Sequence, residues 1–185
     1  MVIEEVYGNL PVLETERLIL RKLRPEDEDA VFEYCSDAEI SKYTVWSSHQ
    51  SIEDTRGFLN FVFDKYQQNT VAPWGVEDKA SGRIIGTTGY ITWDTHNSKA
   101  EIGYALARTH WGKGYMSEAV KSVIDFGFDV MKLVRIEARC HPNNTGSSRV
   151  MEKSGMTFEG ILRKHILVKG VHEDVKMYSI LLSEE

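Results

Sequence analysis

Cysteine is scarce in this chain of 185 residues, which has only Cys35 and Cys140. They fall in no Cys-x-x-Cys or Cys/His ligand spacing, so neither a disulfide framework nor a zinc site is signalled, and no metal is expected. Long apolar runs are missing too, since none approaches the ~20 residues that span a bilayer. A secretory leader is not evident: Met1-Val2-Ile3-Glu4-Glu5 carries acid where a leader carries Lys or Arg, and the expected location is the cytoplasm. No block of Lys and Arg stands against the formal net charge of −6, which disfavours a direct nucleic-acid surface and mildly favours a cationic partner. Repeats, low-complexity tracts and linkers are also absent, so residues 1–185 are expected to form one domain.

What is present reads as an alternation of strands and helices. Arg17 to Leu23 has strand character, and Pro25 then leads into Glu26-Asp27-Glu28-Asp29. Those acids suit a solvated helix start rather than a metal site, because consecutive helical positions point in different directions. Ser51-Ile52-Glu53-Asp54 resembles a capping box, with Leu59, Val62, Phe63 and Tyr66 at helical spacing as far as about Gln68. Between Val71 and Leu106 short β-rich segments, Trp74 to Val76, Arg83 to Gly86, Tyr90 to Trp93 and Ala100 to Tyr104, suggest three sequential antiparallel strands. Met116, Ala119, Val120, Val123, Ile124 and Phe128 mark one face of a helix ending near Met131. A strand from Val134 to Arg139 follows, then a short helix from Gly146 to Ser154, capped by Asn144 and closed by Gly155. Strands Phe158 to Val168 and Val175 to Leu182 finish the order βααβββαβαββ. The fold class is therefore α/β, one mixed sheet flanked by helices.

Chemistry is expected at Thr109-His110-Trp111-Gly112-Lys113-Gly114-Tyr115, between a strand and a helix. Glycines there let backbone N–H groups converge ahead of a helix dipole, which makes an anion site suited to pyrophosphate. The turn is neither a Walker A loop, lacking Gly-Lys-[Ser/Thr], nor a dinucleotide fingerprint, lacking the third glycine.

Taken together, Glu101-Ile102-Gly103-Tyr104, Trp111 to Ala119 and Asn144 to Gly155 closely resemble the GCN5-related N-acetyltransferase (GNAT) superfamily. The opening Leu13 to Arg21 and the closing Phe158 to Tyr178 look like its branch of bacterial ribosomal-protein N-terminal acetyltransferases. The resemblance implies a mostly antiparallel sheet splayed between its fourth and fifth strands, here 99–107 and 133–140, with acetyl-CoA as co-substrate wedged in the gap. Pyrophosphate would lie on backbone donors of Trp111, Gly112, Lys113, Gly114, Tyr115, Met116 and Ser117. Thr109 stands where the family usually has Gln or Arg, so those donors carry more of the contact.

The resemblance also implies a thioester-oxygen donor at the backbone N–H near Leu106. The family's usual Tyr, which protonates the departing thiolate, is matched by Met151, which has no proton to give. In the ribosomal-protein branch the Ser of Asn-x-x-Ser takes that role, which corresponds here to Asn144 and Ser147. Glu101 is the candidate for positioning the incoming ammonium or deprotonating it through water. His165 and His172, in the closing hairpin, are secondary base candidates. Tyr43, Trp46 and Trp74 could line the acceptor pocket. The expected acceptor is a primary amine, foremost the α-amine of a protein such as a ribosomal protein, and the enzyme is expected as a monomer or homodimer. A small amine (polyamine, aminoglycoside or amino acid) is the alternative acceptor, and a CoA-binding module without catalysis is the alternative class.

Overall fold

The computed structural model describes residues 2–182. Helix α1 (Ile3–Tyr7) and the two-residue strand β1 (Leu13–Glu14) precede β2 (Leu18–Arg21). Then come α2 (Glu28–Cys35), α3 (Ala38–Ser41), α4 (Ile52–Gln67), β3 (Trp74–Asp78), β4 (Arg83–Asp94) and β5 (Lys99–Leu106). The second half holds α5 (Tyr115–Asp129), β6 (Arg135–Cys140), α6 (Thr145–Lys153), β7 (Thr157–Val168) and β8 (Val171–Leu181). The strands form one eight-stranded sheet in the order β1-β2-β3-β4-β5-β6-β8-β7. Every pairing is antiparallel except β5 with β6. This is the expected mixed, mostly antiparallel sheet flanked by helices. Among the described residues no helix is long and apolar enough to cross a membrane.

Two apolar clusters hold the helices to the sheet. On one face, Met116, Ala119, Val120, Val123, Ile124 and Phe128 of α5 are all buried against Leu20, Trp74, Ile102 and Ile136. That is the stripe whose 3.6-residue period is visible in the sequence, and each large side chain in it contributes about 2 kcal/mol by leaving water. On the other face, Val31, Tyr34, Leu59 and Val62 bring α2 and α4 onto Leu23 and Ile84. The α4 start is held as expected, with the Asp54 carboxylate accepting from Gln50 N–H and Ser51 N–H at 2.8 and 3.1 Å. Gly155 closes α6 at φ 89°, the left-handed conformation expected of it.

The three sequential antiparallel strands expected between Val71 and Leu106 are β3, β4 and β5, the segments around Ile84 and Ile91 both lying on β4 across a bulge between Tyr90 and Thr92. Other elements differ from the sequence reading. β8 begins at Val171 rather than Val175, so the closing hairpin turns within Lys169 and Gly170. Asp27 is not solvated: it is 8% exposed and takes both Arg21 Nη atoms at 2.8 Å. Arg21 also reaches Glu77, so the acid at that helix start is one arm of a buried ion cluster. Trp74 is fully buried, donates its indole N–H to Pro11 O at 2.8 Å and packs edge-on to Phe126. It is a core residue and lines no acceptor pocket.

Candidate active site

The parallel pairing of β5 with β6 runs only from Lys99 opposite Arg135 to Glu101 opposite Glu137. Beyond Glu101 the two strands part. On its other edge β5 stays paired with β4 as far as Leu106 opposite Gly86. Ala107 N–H donates to Ile85 O at 2.7 Å, and antiparallel ladders alternate, so the amides of Tyr104 and Leu106 turn away from β4 and into the gap. Leu106 O accepts the Trp111 indole N–H at 2.8 Å, which ties the glycine turn to the end of β5.

In that turn Gly112 and Gly114 have φ of 74° and 82°, values costly for any residue with a Cβ. A Cβ at Gly112 would meet open space, so glycine is needed there for its backbone angle and not for room within the protein. Gly114 is the N-cap of α5 and supplies no side-chain cap, leaving the first helical N–H groups to an outside acceptor. The Met116 and Ser117 side chains are buried, so these two residues offer backbone donors only. Lys113 folds its ammonium onto Thr109 O at 2.8 Å. These features fit a pyrophosphate.

An acid in the first turn, Glu118, would repel such an anion, and the structure neutralises it. Arg17 binds it through Nε and Nη2, both at 2.7 Å. The Arg17 backbone N–H donates to it at 2.8 Å, and Thr15 adds a hydroxyl. Burial pushes the Glu118 pKa up, but these hydrogen bonds outweigh it and hold the carboxyl below its ordinary value. Arg17 also donates to Lys113 O and stacks over the Tyr115 ring at 4.2 Å. No local pattern signals this latch, because Arg17 and Glu118 lie far apart in the chain.

Across the gap, the Asn144 side chain caps α6 by accepting from Ser147 N–H at 3.1 Å. The Ser147 hydroxyl lies 2.8 Å from the hydroxyl of Tyr104. Met151 is fully buried one turn further on and serves packing. At the base of the gap Glu101 is 8% exposed and 2.8 Å from Arg139 Nε. The approach is not aligned as a hydrogen bond, so Glu101 Oε1 is left without such a partner. Burial raises its pKa, and the Arg139 guanidinium pulls the other way. Sequence reasoning missed Arg139, whose alternation with buried Ala138 and Cys140 could have placed it on the Glu101 side of the sheet.

The remaining candidates separate. His165 and His172 are exposed on the β7–β8 hairpin. His141, directly after β6 and overlooked in the sequence, stacks on Tyr43 at 4.9 Å and lies 3.8 Å from Glu173. Trp46 packs against the α2–α4 cluster. At the hairpin turn, Lys169 Nζ donates to Ser41 O at 2.7 Å, which brings the hairpin over α3 beside Tyr43. Cys35 and Cys140 are buried free thiols, and burial pushes the Cys35 pKa up to about 12. No group of three His, Cys, Asp or Glu among the described residues could hold a metal.

Known proteins similar to this chain identify its family. The family model described as an acetyltransferase (GNAT) domain matches residues 17–157. The uncharacterized N-acetyltransferase p20 of Bacillus licheniformis is 38% identical over 175 residues, 95% of this chain and 98% of that protein. The crystal structure of a GNAT-family acetyltransferase from Bacillus anthracis superposes with a TM-score of 0.82 at 35% identity, covering 92% of this chain and 98% of the other. The ribosomal-protein-serine acetyltransferase of Escherichia coli K12 is 28% identical over 138 residues, 74% of this chain and 75% of that protein. With the match spanning most of the sequence and the sheet parting just beyond Glu101, this chain belongs to the GNAT acetyltransferases, enzymes that take their acetyl group from acetyl-CoA.

Proposed function

We propose that this N-acetyltransferase acetylates a protein α-amine, such as that of a ribosomal protein, by direct attack of the amine on the thioester. The observation that carries the direct-attack reading is the gap above Glu101, where the amides of Tyr104 and Leu106 turn inward opposite Ser147. Leu106 N–H serves as the oxyanion donor, a role that needs only a backbone group fixed in advance. Backbone donors from Trp111 to Ser117 hold the pyrophosphate. Asn144 orients Ser147 by capping α6, and Ser147 faces the sulfur. An aliphatic alcohol is a weaker acid than a thiol of pKa about 8.5, so Ser147 steadies the thiolate by donating a hydrogen bond. Glu101 acts on the ammonium through water, since Arg139 already stands against one of its oxygens.

The protein acceptor is supported by the Escherichia coli relative named for ribosomal-protein serine and by the net charge of −6. One observation favours a small amine instead: the β7–β8 hairpin reaches Ser41 while Tyr43 stacks on His141, which narrows the acceptor side. Thiol release from acetyl-CoA decides between them. It is expected with a peptide bearing a free α-amine and not with the same peptide blocked at its amino terminus. Release with polyamines, aminoglycosides or amino acids but with no peptide would overturn the protein acceptor.

A further inference from the structure

Tyr104 lies on β5, the strand that lines the gap. Its hydroxyl has two neighbours on a single residue, the Ser147 Oγ at 2.8 Å and the Ser147 carbonyl oxygen at 3.1 Å. One phenol proton cannot serve both at once. Two arrangements result. In the first, Tyr104 donates to the carbonyl and Ser147 O–H donates back to the phenol oxygen. In the second, Tyr104 donates to Oγ and Ser147 O–H is free to point elsewhere.

We propose that Tyr104 is a positioning residue that switches between these arrangements and, in the second, aims the Ser147 hydroxyl at the departing sulfur. This rests on the acetyl-transfer reading above and assigns a residue to it. As the C–S bond breaks, its electron pair goes to sulfur, and the Tyr104 O–H···Oγ–H···S chain forms without transferring a proton. The proton shed by the acceptor nitrogen as the amide forms reaches sulfur through solvent. Hydrogen bonds in such a chain polarise one another, which makes Ser147 a better donor than a lone serine. Burial raises the Tyr104 pKa, so the phenol keeps the proton that the chain requires. The N–H of Ser147 is already bound by Asn144, which fixes the backbone about which the hydroxyl turns.

The test uses the full-length protein, with CoA itself as probe. Tyr104→Phe keeps the ring and removes only the hydroxyl. Titrating bound CoA by the ultraviolet absorbance of its thiolate, as a difference spectrum against the free protein so that Cys140 and the other tyrosines cancel, reads the hydrogen bonds to sulfur directly. Tyr104→Phe is expected to raise the pKa of the bound thiol by about 1 unit, the size of one hydrogen bond to a charged atom. It should also lower kcat about tenfold with little change in KM for acetyl-CoA. In a Ser147→Ala background Tyr104→Phe should have no further effect, because it acts through the removed hydroxyl. An unchanged thiol pKa, or a full additional loss in the Ser147→Ala background, would overturn the switch while leaving acetyl transfer intact. A protein that binds no CoA at all would overturn both.

Discussion

Glu101 and Arg139 face each other across the foot of the gap, with Glu137 beside them paired to Arg135 and Lys99. A carboxyl whose pKa is raised by burial is a stronger base than an exposed one, but it works only above that raised value. The acid limb of kcat/KM should therefore follow Glu101. Glu101→Gln is expected to remove that limb and cost about a hundredfold in rate. A variant with an unchanged limb would assign proton removal elsewhere. A second residue-scale consequence concerns Asp27, buried against Arg21 with only about a tenth of either side chain exposed. Asp27→Ala leaves the guanidinium with Glu77 and the Lys22 carbonyl and should destabilise the fold by about 3 kcal/mol in urea melts. A loss below about 1 kcal/mol would mean that Glu77 suffices.

At the scale of elements, the turn before α5 combines two left-handed glycines with an uncapped helix start and the Arg17 latch on Glu118. Gly114→Val places a β-branched residue at φ 82°, which should twist the first N–H groups out of line and weaken CoA binding at least tenfold by calorimetry. Equal affinity in a folded variant would remove the phosphate site from this turn. The elements that could be read from sequence are those with a long period or a recognisable end: α4 with its capping acid, α5 with its apolar stripe, α6 between Asn144 and Gly155. α1, β1 and α3 are too short for periodicity to speak. Of the candidate site, contiguous motifs mark Trp111 to Ser117 and Asn144 to Ser147, which lie at the start of α5 and the start of α6. Tyr104, Arg139 and His141 were not assigned roles, because each acquires its partner from another strand or helix.

At the scale of the whole molecule, β7 and β8 are anchored to β6 partly through charge. Arg135 binds Glu159 with two hydrogen bonds of 2.6 and 2.7 Å, and Ser179 adds a third. These lower the Glu159 pKa from 4.5 to about 2, Arg135 being the larger cause. A carboxyl whose folded value lies below its unfolded value contributes its stability fully above the unfolded one, and loses it as the pH falls through the folded one. Glu159→Gln should thus lower the urea midpoint at neutral pH and flatten its decline between pH 4.5 and 2. The group is 40% exposed, so the difference is no more than about 1 kcal/mol. Parallel declines in the two proteins would show that the pair contributes nothing. The short parallel join between Lys99–Glu101 and Arg135–Glu137 has a wider meaning. It divides the sheet's backbone ladder into two leaves joined at three paired positions, with the α5 stripe packed across both. On the proposed function, a donor seated in the gap would bridge the two leaves where the ladder stops, so CoA should add stiffness there as well as carry the acetyl group.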